Sequence, residues 1–372
     1  PVENPSGRYI IKVHINGTKR AVEIDDSFPF YRLRNQSAHE EFLYSSYSKK
    51  EGELWVSLAE KALLKLYGCN LKRLSSIPSI EIYHLCGWIP ENIVVKDVNS
   101  LPNLWSRLIQ NFEENNIMIS LGKVYSGGQA DNCNFPLGSK NYDPDQHKNV
   151  QKLNNYSYYD NRTGLLFGHT YAVLGLKEIE GVKIMKVQNP WGMNPLKTFK
   201  TYDYDPNTLR EIYVNIFCKN SINASFSIES LDYDPDKTEL NEGVCLVDWN
   251  DVIKCFSDVY LSWNPMVYPF KKSLHSCWMN SKKDALFPPY RHSLEDCPQV
   301  LIRIPPHEED FEVRICINKH VKKLSTSFKE YITYQLFSFN RDRVIYPMDS
   351  LRTHPYYNRE ILSDVFIFEA SV

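Results

Sequence analysis

The sequence predicts an α+β fold: an antiparallel sheet with flanking helices, followed by an all-β antiparallel sandwich. In the first 265 residues, alternating apolar strands with tight turns are interspersed with segments of helical apolar period. From residue 266 onward, short alternating runs are separated by Pro, Asn and Asp turns, which is typical of a sandwich of about 100 residues. We therefore expect one domain over 1–265 and a second over 266–372.

The first predicted element is a β-hairpin. Its opening strand has apolar residues at every second position: Tyr9, Ile11, Val13 and Ile15. Asn16-Gly17 favours a two-residue turn, and residues 21–25 form the returning strand. Because a strand stands so near the first residue, we expect the chain to begin inside a domain.

Three helices are expected in the first region. The clearest lies within 52–70, where Leu58, Ala62 and neighbouring apolar residues share a face and Gly68 marks the end. A second begins near residues 100–102 and buries Leu104, Trp105, Leu108 and Phe112. A short third helix follows Asp248, which we expect to cap it.

The centre of this region is expected to be a strand, a long loop and a hairpin. Residues 116–122 form the apolar strand, and the polar stretch 122–163 is interpreted as a mobile loop near a functional site. The hairpin follows within 168–192, with its turn at Glu180-Gly181.

Composition excludes several classes of protein. The formal net charge is −2 and no long basic block occurs, which argues against an electrostatic nucleic-acid binder. No run of about 18 apolar residues is present, so no transmembrane segment is predicted. The nine cysteines form no CxxC pair with zinc-finger or redox spacing, and we interpret them as reduced thiols.

The predicted hairpin places a histidine and an asparagine at its two outer ends. In a nucleophilic cysteine site, a histidine takes the thiol proton and a third group fixes the imidazole, and asparagine can be that group. A regular ladder places His169 and Asn189 about three positions apart, and a bulge or longer loop would be needed to close the gap. Taken by itself, the pair is a weak signal and is more typical of polar residues at strand ends.

The surrounding residues resemble the calpain protease core, in which a Gly-His-x-Tyr strand carries the base and Asn-Pro-Trp carries the orienting amide. Both motifs stand here within 168–192. Further similar segments follow the same order: 16–29, 53–68, 85–91 and 249–265. The last resembles PalB-type atypical calpains in particular, and HSCW at 275–278 with the sandwich after it is similar to the family's C2-like domain.

The resemblance implies the roles of four residues. His169 is the general base and Asn189 is the amide that orients it, whereas Gly168 and Trp191 are supporting residues, with Trp191 packing as a screen over the asparagine. The fold it implies is a papain/calpain-like second protease subdomain followed by the C2-like sandwich.

The nucleophilic cysteine of the family precedes the histidine, opens a helix and is followed by Trp. Cys277-Trp278 comes after both site residues and is interpreted as structural, while Cys69 and Cys86 do not open helices and Cys133 lies in the long loop. We therefore assign no nucleophile within this chain. Two alternatives stay open: a C-terminal portion of a longer protease whose Cys-bearing subdomain precedes it, or a calpain-like protein that has lost its nucleophile.

Calcium follows from the resemblance alone, since no ligand motif supports it. The segment 232–239 has Asp at the first, third and fifth positions of an EF-hand loop. Lys237 occupies the sixth place, where Gly is needed, and Gly243 the twelfth, where a bidentate Glu is needed. We interpret the segment as a turn and expect no cofactor.

Two functions from different classes remain. The first is an intracellular cysteine endopeptidase that makes limited cuts in protein substrates. The PalB likeness implies a transcription factor in ambient-pH signalling, ESCRT-type endosomal partners, and a cytoplasmic protein recruited to endosomes. The second is a non-catalytic scaffold whose sandwich docks a partner or a lipid surface. The residues encoded upstream of Pro1 would discriminate, since the protease requires a helix-opening Cys-Trp there.

Overall fold

The structure is a computed structural model. The residues it describes are 4–31, 42–48, 50, 52–68, 77–95, 103–123, 150–152, 158–160, 165–179, 181–190, 244–277, 294, 297–320, 332–338, 343–345, 351–353 and 361–368.

Helices are interspersed among strands in the first part of the chain. The described helices are α1 (Trp55–Leu66), α2 (Pro78–Cys86), α3 (Leu104–Glu113), α4 (Trp249–Cys255) and a 3₁₀ turn at Pro265–Val267. Within these ranges, none of the helices combines the length and the apolar character needed to cross a bilayer.

Sixteen strands are found among the described residues. They are β1 (Arg8–Ile15), β2 (Thr18–Asp25), β3 (Phe30–Tyr31), β4 (Phe42–Leu43), β5 (Ile89–Val94), β6 (Ile117–Lys123), β7 (Val150–Lys152), β8 (Tyr158–Asp160), β9 (His169–Ile179), β10 (Val182–Gln188), β11 (Val244–Asp248), β12 (Asp258–Trp263), β13 (Phe311–Asn318), β14 (Gln335–Leu336), β15 (Arg352–Thr353) and β16 (Ile361–Phe368). Every recorded pairing between them is antiparallel. The predicted α+β class is confirmed.

Two compact units divide the chain. One contains Pro1–Leu71 together with Tyr268–Val372, and the other contains Lys72–Val267. The second boundary lies close to the predicted one at 265/266, but the first 71 residues group with the C-terminal part of the chain. Within that unit, the turn of the first hairpin approaches β13, since a Cβ on Gly17 would lie 3.9 Å from the Asn318 side chain. The division into domains 1–265 and 266–372 stays a prediction.

A six-stranded antiparallel sheet forms the centre of the unit Lys72–Val267. Its strand order is β11-β10-β9-β6-β12-β5. One face carries the main apolar core, to which α3 and α4 contribute; its fully buried members include Leu108, Leu121, Met185, Val252 and Leu261. On the other face, α2 packs on β5 and β12, where Tyr260 and Ser262 are buried. The strands β6, β9 and β10, whose ends carry the candidate site, are therefore backed by a continuous core.

The predicted first hairpin is confirmed. β1 and β2 pair in register from Arg8↔Asp25 to Ile15↔Thr18. Asn16 and Gly17 both have positive φ, 52° and 73°, which the two-residue turn requires because it follows the right-handed strand twist. The hairpin packs its apolar face on α1, with Ile24, Leu58 and Ala62 buried.

The helix predictions hold, and one helix was missed. α3 begins at Leu104 rather than near residues 100–102, with Asn103 in the left-handed conformation before it. Asp248 caps α4 as expected, its side chain accepting a hydrogen bond from the Asn250 amide at 2.7 Å. The missed helix is α2, although Pro78 in its first turn and Gly87, with φ 77°, at its end are ordinary boundary signals. Its apolar residues do not gather on one face, and Ser79 and His84 are among its buried residues, so its period gave little warning.

The C-terminal region contains antiparallel pairs, as predicted, but not in every predicted run. β13 pairs with β16, and β14 pairs with β15. The alternating run 299–306, expected to be a strand, has no ladder partner in the described part of the chain and exposes Val300, Leu301 and Ile302. Alternation predicts which residues share a face, but a strand also needs a neighbouring backbone for its hydrogen bonds.

The stretch 122–163 is not entirely a loop. Residues 122 and 123 still belong to β6, and β7 and β8 form a small antiparallel pair with Gln151 opposite Tyr159. The remainder of that stretch, like Trp191 and the segment 232–239, lies outside the described residues.

Candidate active site

The hairpin of β9 and β10 carries the candidate site, and it has the turn that the sequence predicts. Val182 pairs with Ile179 across Glu180-Gly181, and the ladder runs regularly to the pair Lys186↔Gly175. The next pair is Val187↔Val173, so Leu174 is an extra residue on β9 without a partner in the register. Leu174 forms a β-bulge, and its side chain is 46% exposed.

The bulge decides which face His169 occupies. A ladder without it would pair Asn189 with Ala172, and because side chains alternate, His169 would then lie on the opposite face from Asn189. Because Leu174 is an extra residue, the register shifts by one position and Gln188 pairs with Ala172. His169 then shares the core-facing side of the sheet with Tyr171 and Val173, and Asn189 shares it with Val187.

His169 and Asn189 are joined by a hydrogen bond. His169 Nε2 lies 2.9 Å from Asn189 Oδ1. A carboxamide oxygen only accepts, so the hydrogen of this bond belongs to Nε2, and a neutral ring then has its lone pair on Nδ1. Asn189 is 2% exposed, which protects the bond from exchange with water. The arrangement is that of an imidazole oriented by an amide, with Nδ1 as the proton acceptor.

The environment favours the neutral imidazole. Burial lowers the pKa of His169 below its ordinary value, and the hydrogen bond from Nε2 to Asn189 opposes this in part. A base must be unprotonated to accept a proton, so burial keeps the ring ready at neutral pH.

Tyr171 supports the imidazole from within the core. Its ring meets that of His169 edge to face, with centroids 5.0 Å apart, and meets Phe256 at 5.6 Å. Its hydroxyl oxygen accepts a hydrogen bond from the Leu166 amide at 3.0 Å. Tyr171 is itself buried, so it offers His169 a rigid wall.

Gly168 fixes the entry into β9. Its φ is 64°, in the left-handed region, and a Cβ there would meet no atom within 4 Å. The requirement for glycine is therefore conformational rather than steric. The Gly168 amide donates to the carbonyl oxygen of Lys123 at 2.8 Å, which ties the strand start to β6.

The cysteines of the unit Lys72–Val267 whose side chains the structure describes stand at the wrong end of a helix for a reactive thiol. Cys86 is the last residue of α2 and Cys255 the last of α4. A helix C-terminus disfavours a thiolate, and burial further raises the pKa of the Cys86 thiol. Cys277, Cys297 and Cys316 belong to the other unit, and burial raises the pKa of Cys316 to about 12.

No group of three or more His, Cys, Asp or Glu side chains suited to holding a metal ion occurs among the residues that the structure describes. The calcium that the family resemblance implies therefore has no donor set there, and we derive no chemical step through it.

Sequence reasoning missed Lys123, and it allowed for a bulge without locating it at Leu174. Lys123 pairs directly with His169, but a long stretch of sequence separates them, and no pattern in it predicts the register. Leu174 looks like an ordinary strand residue. The available signal was the three-position gap between His169 and Asn189, which required an irregularity somewhere in the hairpin.

Comparison with known proteins assigns the family. The profile of the calpain family of cysteine proteases matches residues 2–199, more than half of the chain, and this range contains both His169 and Asn189. Human calpain-7 is 27% identical over 358 residues, which cover 94% of this chain and 37% of that protein. Mouse calpain-7 is 26% identical over 359 residues, with the same two coverages.

Fungal relatives give a consistent result. The calpain-like protease palB of Emericella nidulans is 24% identical over 276 residues, which cover 74% of this chain and 25% of the fungal protein. The chain thus spans well under half the length of these relatives. The chain belongs to the calpain family of cysteine proteases and is similar to its PalB-type members.

Proposed function

We propose that this chain carries the base and the orienting amide of a calpain-like cysteine endopeptidase, with His169 as the base and Asn189 as its partner. The observation that carries the proposal is the 2.9 Å contact between His169 Nε2 and Asn189 Oδ1 on the core-facing side of the sheet. Membership of the calpain family supports the type of chemistry.

The proposed reaction is peptide hydrolysis through a thioester. A cysteine contributed from outside the described residues transfers its thiol proton to His169 Nδ1, and the sulfur attacks the carbonyl carbon of the scissile peptide bond. The imidazolium then gives that proton to the departing amine. Water, deprotonated by His169, attacks the thioester; the carbon–sulfur bond breaks, the acid product leaves, and the imidazolium returns its proton to the departing thiolate. Throughout, Asn189 accepts the Nε2–H hydrogen bond and holds the ring plane.

The substrates that we propose are regulatory proteins cut at few positions. Resemblance to PalB-type members supports a transcription factor in ambient-pH signalling as the substrate and ESCRT-type endosomal proteins as partners, with the protein cytoplasmic and recruited to endosomes. This finer assignment rests on the likeness alone.

The test uses the full-length natural protein with His169→Ala and Asn189→Ala variants. We expect hydrolysis of an unfolded protein substrate to be lost with His169→Ala. Alkylation of one cysteine by iodoacetamide should begin at acid pH in the wild type, because a neighbouring imidazolium stabilises the thiolate. In His169→Ala the onset should move to about pH 8.5, the ordinary thiol pKa.

Two results would decide against the proposal. If His169→Ala changed neither hydrolysis nor alkylation, His169 would not be the base. If no cysteine of the wild type reacted at acid pH and no peptide bond were cut, the non-catalytic scaffold would be the better description.

A further inference from the structure

We propose that Lys123 is a positioning residue for the base: its ammonium and its backbone carbonyl together fix the turn that presents the His169 imidazole to Asn189. This inference deepens the proposed function and rests on it, because the orientation of His169 matters most if the imidazole transfers a proton.

The register places Lys123 beside the histidine. β6 and β9 pair at Lys123↔His169, the last pair of that ladder. Directly opposed residues of an antiparallel pair share a face, and their Cβ atoms lie about 4.5–5.5 Å apart. On β6 this is the face that buries Ile119 and Leu121, the core side of the sheet. The Lys123 stem therefore starts next to the imidazole.

The Lys123 side chain starts beside the imidazole, but its ammonium contacts the Cys255 carbonyl and the Phe167 ring. It donates a hydrogen bond to the carbonyl oxygen of Cys255, the last residue of α4. The final carbonyls of a helix lack intrahelical donors, and a cation is a favourable partner for them. The ammonium also stands 5.5 Å from the ring centroid of Phe167, within the range of a cation–π contact.

These contacts converge on the turn before His169. Phe167 lies under the Lys123 ammonium, and Gly168 donates its amide hydrogen to the Lys123 carbonyl. Leu166 donates to the Tyr171 hydroxyl, and its side chain is fully buried. Three consecutive residues are thus anchored, two of them to Lys123, and the next residue is the base.

The end of α4 is fixed to the same strand independently. Ser257 donates through both its amide and its hydroxyl to the Gly122 carbonyl, at 2.9 and 3.1 Å. The Cys255 carbonyl is therefore a stationary acceptor, and Lys123 joins a fixed point in the core to the His169 turn. Loss of the ammonium should loosen the turn while the helix end stays in place.

The experiment is an NMR titration of the 372-residue chain with ¹⁵N-labelled histidine, in which the His169 signals are identified by their absence in His169→Gln. Lys123→Met keeps the apolar stem and removes the charge. We expect the Nε2–H tautomer of His169 to be less populated and its signals to broaden. Lys123→Arg should restore both, because a guanidinium can also donate to a carbonyl and stack on Phe167. Lys183→Met, a substitution on β10, is the matched control and should change neither.

A kinetic readout in the full-length protein complements the spectra. Misplacing a catalytic group costs up to about 100-fold in rate, so we expect Lys123→Met to lower kcat about 10- to 100-fold with KM nearly unchanged. Phe167→Leu, which removes only the ring, should act in the same direction more weakly and replaces Lys123→Met if that variant does not fold.

An unchanged His169 spectrum in a folded Lys123→Met or Phe167→Leu variant would overturn the inference. The spectra need no substrate, so the two proposals fail separately. Absence of hydrolysis by the full-length wild type would count against the proposed function, and a wild-type His169 spectrum without Lys123 would count against the positioning role alone.

Discussion

At the scale of single residues, burial and one hydrogen bond act on the pKa of His169 in opposite directions. Burial lowers its pKa, whereas the bond to Asn189 favours the protonated ring. A histidine that stays neutral in the folded chain but is oriented by an amide meets the two demands on a base, a lone pair and a fixed direction. Asn189 can supply the direction without adding a charge to a buried site.

The lowered pKa of His169 predicts how stability depends on pH. In the unfolded chain the ordinary pKa is about 6.5, so as the pH falls below that value the unfolded state takes up a proton before the folded state does. The contribution of His169 to the free energy of unfolding should therefore be complete above about pH 6.5 and should decrease as the pH falls below that value. Denaturant unfolding at several pH values should show a shallower acid decrease for His169→Gln.

The exposed His275 offers a matched control. If His275→Gln flattened the acid decrease as much as His169→Gln does, the pH dependence would not come from the site.

Replacing Asn189 with aspartate should change the charge state of the base. A carboxylate at hydrogen-bond distance favours the imidazolium, so the pKa of His169 should rise. An NMR titration of His169 measures this, and the acid limb of the pH–rate profile should move to higher pH in the full-length protein. Asn189→Ala should instead leave the Nε2–H group without this partner and destabilise the fold by about 1–3 kcal/mol. A His169 pKa unchanged by the aspartate would mean that the two side chains do not interact in solution.

At the scale of elements, the β-bulge is the feature that makes the hairpin a site. β10 is regular, and on β9 the core-facing residues Val173 and Leu176 are separated by three positions rather than two or four. Only an extra residue between them lets both face the core. The same irregularity brings His169 to the face of Asn189, so the packing of the sheet and the geometry of the site are satisfied together.

Two single-residue deletions should separate the bulge from the ladder. Deleting Leu174 removes the unpaired residue, so β9 should become regular and the His169–Asn189 hydrogen bond should persist. Deleting Gln188 instead moves Asn189 by one position and turns it to the other face. The imidazole ¹⁵N signals of His169 should be nearly native in the first variant and altered in the second. Loss of the hydrogen bond in both would contradict the assignment of Leu174 as the extra residue.

At the scale of the whole molecule, the site is assembled from segments far apart in sequence. Four segments meet at the same end of the inner strands of the six-stranded sheet: β6, the turn at 165–168, the hairpin β9–β10 and the end of α4. None of the described cysteines of this unit stands at a helix N-terminus. In the proposed reaction, the thiol reaches Nδ1 of His169 from a segment outside the described residues.

This assembly predicts the behaviour of the 372-residue chain alone. We expect the purified polypeptide not to hydrolyse peptide bonds, because none of the described cysteine side chains of the unit Lys72–Val267 is placed to give its proton to the base. A fluorogenic peptide library or an unfolded protein substrate would test this. Cleavage that His169→Ala abolishes would refute the prediction and place a nucleophile within the chain.

The sequence by itself determined the local elements and the identity of the candidate residues. Asn16-Gly17 specified a hairpin turn, and alternating and helical periods located the hairpins β1–β2 and β9–β10, the strand β6 and the helices α1, α3 and α4. The blocks around Gly168-His169 and Asn189-Pro190-Trp191 indicated the family. These features depend on neighbours a few residues apart, and local sterics and hydrogen bonding are sufficient to fix them.

Tertiary structure alone decided the bulge at Leu174, the pairing of Lys123 with His169 and the grouping of the first 71 residues with the C-terminal part of the chain. Each depends on which distant segments bury their apolar faces together. Strand register is set by that shared burial and not by the strand's own residues, so no local pattern could have placed the imidazole, the amide and the lysine on one face.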